Sequence, residues 1–296
     1  MWYPLSMETP HDTQSLEPLI NSIFLPTDFS PESHAAFAHA LRFAAGAHAK
    51  LSVVHVRHRD EVLTWEDFPH VRETLERWGN LPQGSRREDL WNLGIDVQKV
   101  VAPAENPVKA CLDFLEDQPA ELIVLTTHHT GDGHHWFGKR IAEPIAQGAG
   151  EITLFLPAGR SGFVSLEDGS VSLKQILIPV DSHPDPQRAV DAAVRTVATL
   201  QVPAGEFTLY HCGAESTFPR VDTPEVEGWE WDTLISDGHA ASEITKLANE
   251  IDADLIVMAS EGRHGFLDAF RGSTTERVLH QIHCPLAVIP AFKNRH

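Results

Sequence analysis

Short apolar runs alternate along this chain with segments whose apolar residues return every three or four positions. Ser22 to Asp28 reads as a short strand, and Ser30 followed by Pro31 reads as a helix start. The helix it opens places Ala36, Phe37, Ala40, Leu41 and Ala44 on one face, with Gly46 as its closing residue. Lys50 to Val56, Val97 to Val101, Leu122 to Thr126 and Ile152 to Leu156 continue the strand series. Between them, Val71, Leu75 and Trp78 mark a short helix, residues 79–87 a loop, and Val108, Cys111, Leu112 and Leu115 another helix. Pro144 falls inside the last helical segment, which predicts a kink or a late start there. Strands of this length alternating with amphipathic helices predict a parallel sheet covered on both faces.

The pattern then restarts. Gln175 to Asp181 repeats Ser22 to Asp28 at an offset of 153, and Ala189, Val190, Ala193, Val194 and Val197 repeat the first helix face. Glu206 to His211 repeats Lys50 to His55. Further on the offset settles at 133, pairing Leu122 with Leu255, Glu143 with Glu276 and Leu156 with Ile289. Two copies of one α/β unit follow, each with its own core. The expected divisions are a loose leader at 1–20, one domain at 21–157, a glycine-bearing linker at 158–172 and a second domain at 173–292. The copies differ: Gly213 to Gly228 is a short connection rich in Pro and Glu, with no evident helix.

Composition narrows the function classes. The 296 residues suffice for two cores, and 42% apolar content is ordinary for globular domains. A formal charge of -19, from 42 acidic against 23 basic residues, repels polyanions and argues against nucleic-acid binding. No apolar run reaches the ~20 residues of a membrane helix, and the N-terminus has no signal-peptide pattern. Cys111, Cys212 and Cys284 are few, odd in number and widely spaced, which favours buried thiols in a reducing cytoplasm over disulfides.

The richest chemistry lies at Asp254 to Glu276. The apolar run Leu255 to Met258 precedes Gly262 and Gly265, then Gly272-Ser273-Thr274 opens a helical pattern. A strand, a glycine loop and a helix start supply the converging backbone N–H groups that phosphate oxygens need. The same residues also suit a tight turn followed by an ordinary cap.

Pro179-Val180-Asp181 on the first strand of the second copy, Gly262-x9-Gly272-Ser273, and the closing Cys284 to Pro290 together resemble the universal stress protein family, in its tandem-domain form. The resemblance covers roughly 20–157 and 173–292. It implies α/β architecture: two tandem domains, each a five-stranded parallel sheet flanked by helices, with an adenine-nucleotide site at the carboxyl ends of the strands. Its nucleotide motif, Gly-x2-Gly-x9-Gly-(Ser/Thr), falls here on Ala259, Gly262, Gly272 and Ser273, so the spacing is kept and the first glycine is replaced. Arg263 and Arg271 are placed to add charge-assisted bonds to phosphate. Asp181 suits a ribose hydroxyl, as the resemblance also implies, and Val180 and Ile235 offer an apolar wall for a base.

At the matching positions the first copy carries Thr126, His129, Lys139 and Arg140, so no glycine remains and a cradle of the same kind is not expected there. His128, His129, His134 and His135 crowd the same stretch, but their spacing matches no closed zinc motif and an exposed loop is the simpler reading. His55 and His211 occupy equivalent strand ends, as structural histidines do.

No nucleophile elbow, metalloprotease helix or Walker lysine is present, so no catalytic residue is assigned. The expected function is an ATP-binding regulatory or stress-response protein, with ADP or AMP as related ligands and Mg2+ as accompanying ion. Alternatives are an interaction scaffold without nucleotide, or a metal or small-ligand sensor using the histidine-rich face. The expected assembly is an intramolecular pseudo-dimer of the two halves. A homodimer of tandem chains and an unidentified protein partner are compatible with it, and nucleic acid and membrane are not expected partners.

Overall fold

In a computed structural model the described residues are 20–57, 61–127, 139–261 and 273–291. Residues 1–19 of the expected leader therefore lie outside them, as does the histidine-rich stretch, while Ile20 packs against the core. The first half contains β1 (Ser22–Pro26), α1 (Ser33–Ala47), β2 (Lys50–Arg57), α2 (Val71–Arg77), α3 (Arg87–Asn92), β3 (Asp96–Pro103), α4 (Pro107–Asp117), β4 (Leu122–Thr127), α5 (Lys139–Ala149) and β5 (Ile152–Pro157). The second contains β6 (Gln175–Pro179), α6 (Gln187–Leu200), β7 (Gly205–Cys212), β8 (Trp229–Ser236), α7 (Ala240–Glu250), β9 (Leu255–Ser260), α8 (Thr274–Leu279) and β10 (Leu286–Pro290).

These strands form one sheet in the order β3-β2-β1-β4-β5-β10-β9-β6-β7-β8. Each half contributes five parallel strands, and the halves join through the antiparallel pair β5–β10. The register of that pair is informative. Leu286 faces Phe155, Ala287 faces Leu154 and Val288 faces Thr153. Since Leu154 and Ala287 are equivalent at the offset of 133, a pseudo-two-fold axis passes through this pair.

Alternation along the strands sends successive side chains to opposite faces. Ile23 and Leu25 enter one core with α1 and α6, and Phe24 enters the other with α4 and α5. The second half repeats the division: Ile176 and Ile178 join the first core and Leu177 the second, so both cores run unbroken across the junction. On the first face α1 packs on α6. A Cβ at Gly46 would collide with the Thr199 carbonyl, its own repeat equivalent, and the Arg42 guanidinium donates to the Leu200 carbonyl at 3.1 Å. Gly46 thus permits close helix approach, while α1 ends on His48 in the left-handed conformation (φ 53°).

Several local details differ from the sequence-based expectation. Ser30 lies before α1 and its Oγ accepts from the Ser33 amide at 3.3 Å, so it closes the turn ahead of the helix. The helix α5 runs through Pro144. The segment after β5 is docked onto the first half. Phe163 and Val164 are buried, and their amides donate to His39 Nε2 at 3.1 and 3.2 Å. The Trp78 indole donates to the Leu166 carbonyl at 3.1 Å, and Arg77 donates to the Leu166 and Glu167 carbonyls. Of the three free cysteines, Cys111 is buried as expected but Cys212 and Cys284 are only half-buried. Burial still pushes the Cys284 thiol up to about 12, as it does Cys111.

Candidate functional site

At the carboxyl ends of β6, β7 and β9 the second half holds a cavity of about 330 Å³. The strand order explains its place. β6 pairs β7 on one side and β9 on the other, and their connections leave in different directions, as at a switch point of an open α/β sheet. β6 delivers Pro179, Val180 and Asp181; β9 delivers Met258, Ala259, Ser260 and the following Glu261; the start of α8 delivers Ser273, Thr274 and Thr275.

The wall is apolar where the cavity meets the core. Val180 is buried against the first core, and Met258 and Ile244 belong to the second. Tyr210 lines the cavity from β7, and its hydroxyl shares a 2.5 Å hydrogen bond with Ser236 Oγ on β8. Burial pushes its phenol up to about 12, so it remains a neutral hydrogen-bonding group at neutral pH. The rim is polar. Asp181 is exposed, with Oδ1 accepting from the Ser182 amide at 2.7 Å, which leaves Oδ2 available. Ser273 is the N-cap of α8: its Oγ accepts from the Glu276 amide at 3.1 Å and its hydroxyl proton is still available to a ligand. The capping and ligand-facing readings of Ser273 are therefore compatible.

Of the residues singled out from the sequence, Pro179, Val180, Asp181, Ala259, Ser273 and Thr274 converge on this one cavity. Ile235 does not line it; it sits on the edge strand β8 with 40% of its surface exposed. Gly262, Arg263, Gly265, Arg271 and Gly272 lie outside the described residues. Sequence reasoning passed over Tyr210, Ile244 and Met258 because a strand or helix residue lining a cavity has the same apolar pattern as one in a core. It also passed over His183, Pro184 and Pro186, which line the cavity from the loop after β6. There the only signal was a proline-rich loop at a strand end.

The first half is built differently at the same place. Asp28 Oδ1 accepts from the Ser30 amide at 3.0 Å, fixing the turn, and Phe29 takes a left-handed conformation (φ 60°). Its ring stacks on His55 at 4.3 Å and meets Phe68 edge-on at 5.0 Å. The histidines themselves are equivalent. His55 Nδ1–H donates to the Thr27 carbonyl at 2.8 Å, and His211 Nδ1–H donates to the Val180 carbonyl at 3.0 Å. Each bolts the first strand of its half to the second. Beyond that they diverge: His55 Nε2 faces Glu61 at 3.1 Å, and His211 Nε2 meets Thr217 Oγ1 at 2.9 Å.

The model of the universal stress protein family matches residues 20–149 and 223–290, one stretch in each half and together most of the chain. The chain belongs to the universal stress protein family. A universal stress protein of Methanocaldococcus jannaschii is 40% identical over 57 residues, covering 19% of this chain and 34% of that protein. One of Synechocystis is 26% identical over 142 residues, covering 41% of this chain and 88% of that protein. The crystal structure of a universal stress protein from Archaeoglobus fulgidus shares the fold across both halves. Its TM-score is 0.60 at 19% identity, covering 91% of this chain and 96% of that one. A putative universal stress protein from Pseudomonas aeruginosa gives 0.54 at 16% identity, covering 92% and 93%. This universal stress protein fold is thus the tandem one. Among its described residues no helix is long and apolar enough to cross a membrane.

Proposed function

We propose that the C-terminal half binds an adenine nucleotide, ATP with ADP or AMP as related ligands, and that occupancy serves a regulatory, stress-response role in the cytoplasm. The observation that carries this reading is the cavity of about 330 Å³, which divides into an apolar wall and a polar rim. Its volume falls in the ~300–1,000 Å³ range of small-molecule sites. Val180, Ile244 and Met258 suit the faces of a base, and Asp181 suits the ribose hydroxyls. Ser273 and Thr274 suit phosphate oxygens, with Gly262, Arg263, Gly265, Arg271 and Gly272 assigned to the same task from the sequence motif. Ala259 adds one methyl group where that motif has its first glycine.

The rim also carries two carboxylates, Asp181 and Glu261. They oppose a bare polyphosphate, so its charge must be offset. Both are hard oxygen donors of the kind Mg2+ accepts beside phosphates, which supports a magnesium-bound nucleotide over the free anion. Among the described residues of the cavity none pairs a nucleophile with a base, so the proposal is binding and not turnover. Binding confined to the folded form stabilises it by about 2.7 kcal/mol at a ligand concentration 100 times Kd, enough to bias an assembly or a partner surface.

Calorimetric titration of the full chain with ATP and Mg2+ tests the proposal. One saturable site per chain is expected, with a matching rise in thermal midpoint. No saturable heat and no thermal shift with ATP, ADP or AMP would overturn it and leave the scaffold reading in its place.

A further inference from the structure

On the sheet face opposite α1 and α6, the pseudo-two-fold axis brings α5 of one half against α8 of the other. Glu143 and Glu276 are repeat equivalents at the offset of 133, so the axis places them as counterparts. His280 follows Glu276 by four residues, one helical turn, and so shares its face. His280 Nε2 lies 3.6 Å from a Glu143 carboxylate oxygen and 3.9 Å from one of Glu276. One donor atom from each residue lies within 4.8 Å of both others. All three side chains are half-buried, at 17% exposure for Glu143, 21% for Glu276 and 34% for His280.

We propose that Glu143, Glu276 and His280 form a divalent transition-metal site that clasps the two halves of the chain together. Carboxylate oxygen and imidazole nitrogen are both donor types that zinc takes, and with three protein ligands a water would take the fourth position. Bonds of about 2.0–2.2 Å in tetrahedral geometry put neighbouring donors about 3.3–3.6 Å apart. The two His280 separations approach this spacing, so rotamer adjustments of a few tenths of an ångström bring that nitrogen into place. The ligands of the ion come from both halves, so binding requires the junction. Position 147, the counterpart of His280 in the first half, is Gln147, so the repeat supplies one imidazole and not two. The site is separate from the nucleotide cavity, and the proposal stands without nucleotide.

Zn2+ is the probe, titrated into the nucleotide-free full chain in competition with a chromophoric chelator. Wild type is compared with Glu143→Gln, Glu276→Gln and His280→Ala. A further variant replaces His128, His129, His134 and His135 with Ala, because those imidazoles are an alternative zinc ligand set. The expected result is one equivalent retained in wild type and in the four-histidine variant. It should be weakened at least about tenfold in each junction variant. Zn2+ should also raise the thermal midpoint of wild type but not of the junction variants, whose circular dichroism without metal should match wild type. No zinc uptake by wild type, equal uptake by folded junction variants, or loss confined to the four-histidine variant would each overturn the proposal. The two glutamine variants keep side-chain size, so they remain informative if His280→Ala does not fold.

Discussion

The two halves share strand order, core pattern and a histidine bolt, yet they end differently at the carboxyl edge of the sheet. In the second half Asp181 opens a loop that borders a cavity; in the first, Asp28 is followed by a phenylalanine whose ring stacks on His55. Ser182 stands where the first half has Phe29. Buried aromatic area stabilises a loop at little entropic cost, so the Phe29 ring, set on His55 and Phe68, holds the loop of the first half in place. Duplication lets both outcomes coexist, because the two copies need not end alike at this edge. The docked segment 158–172 fits this division, since Phe163 and Trp78 pack it onto the first half.

The largest way to separate the halves is acid. His39 is wholly buried, and burial holds its imidazole down to about 4, against the backbone bond to Ala35. Its counterpart is Ala192, so the second half lacks this group. The unfolded chain takes up the proton near pH 6.5 and the folded chain does not. Stability is therefore lost as pH falls through the window from 6.5 to about 4. The shift corresponds to roughly 3 kcal/mol over the whole window. Urea denaturation at several pH values should show this slope, and His39→Gln should flatten it at the expense of stability at neutral pH. Equal slopes would remove the asymmetry.

The next prediction tests whether the halves act as one body. Gly46→Val should destabilise the chain by about 3 kcal/mol, the upper end of overpacking costs, because its Cβ meets backbone at Thr199 and not a movable side chain. A chain that splits into two unfolding transitions would show the junction to be a weak contact between independent units. A single shifted transition would show one cooperative sheet.

A third pair addresses the ligand. Ala240→Trp projects a large ring into the cavity at the start of α7 and should weaken ATP binding about 100-fold, or about 2.7 kcal/mol. Phe29→Ala removes the ring stacked on His55 in the other half and should leave ATP affinity unchanged while lowering the thermal midpoint. Reversed outcomes, read by calorimetry, would move the nucleotide to the first half. The smallest effect is expected from Ser273→Ala. Loss of the cap should cost about 1 kcal/mol, and any loss of affinity beyond that, measured with folded protein, reports contact with phosphate.

Much of this was legible in the residues. The alternation of Ile23, Phe24 and Leu25, repeated at Ile176, Leu177 and Ile178, specifies strands buried on both faces. The offset of 133 specifies two copies. Legibility failed where tertiary contacts outweigh local pattern. Trp229 to Ser236 carries no plain strand signal because its outward positions are polar, yet Trp229 and Trp231 stack on Phe207 at 4.5 and 4.4 Å and hold it at the sheet edge. Arg87 to Asn92 is a helix without one buried residue, so it has no periodic face to read. Gly46 looked like a helix stop and is a helix contact, because a missing side chain has the same appearance in either role.

By itself, then, the sequence determined the repeat and the parallel α/β class, since periodicity and spacing are local properties, and its resemblance to the family's motif supplied the candidate residues Asp181, Ala259 and Ser273. Only the tertiary structure decided that the ten strands make one sheet, with Leu154 opposite Ala287 on the axis. It also decided that Met258, Ile244 and Tyr210 border a cavity and that Glu143 meets Glu276 and His280. Each of these depends on which surfaces meet across more than a hundred residues of chain or between separate elements, and burial looks the same in sequence whatever lies on the other side.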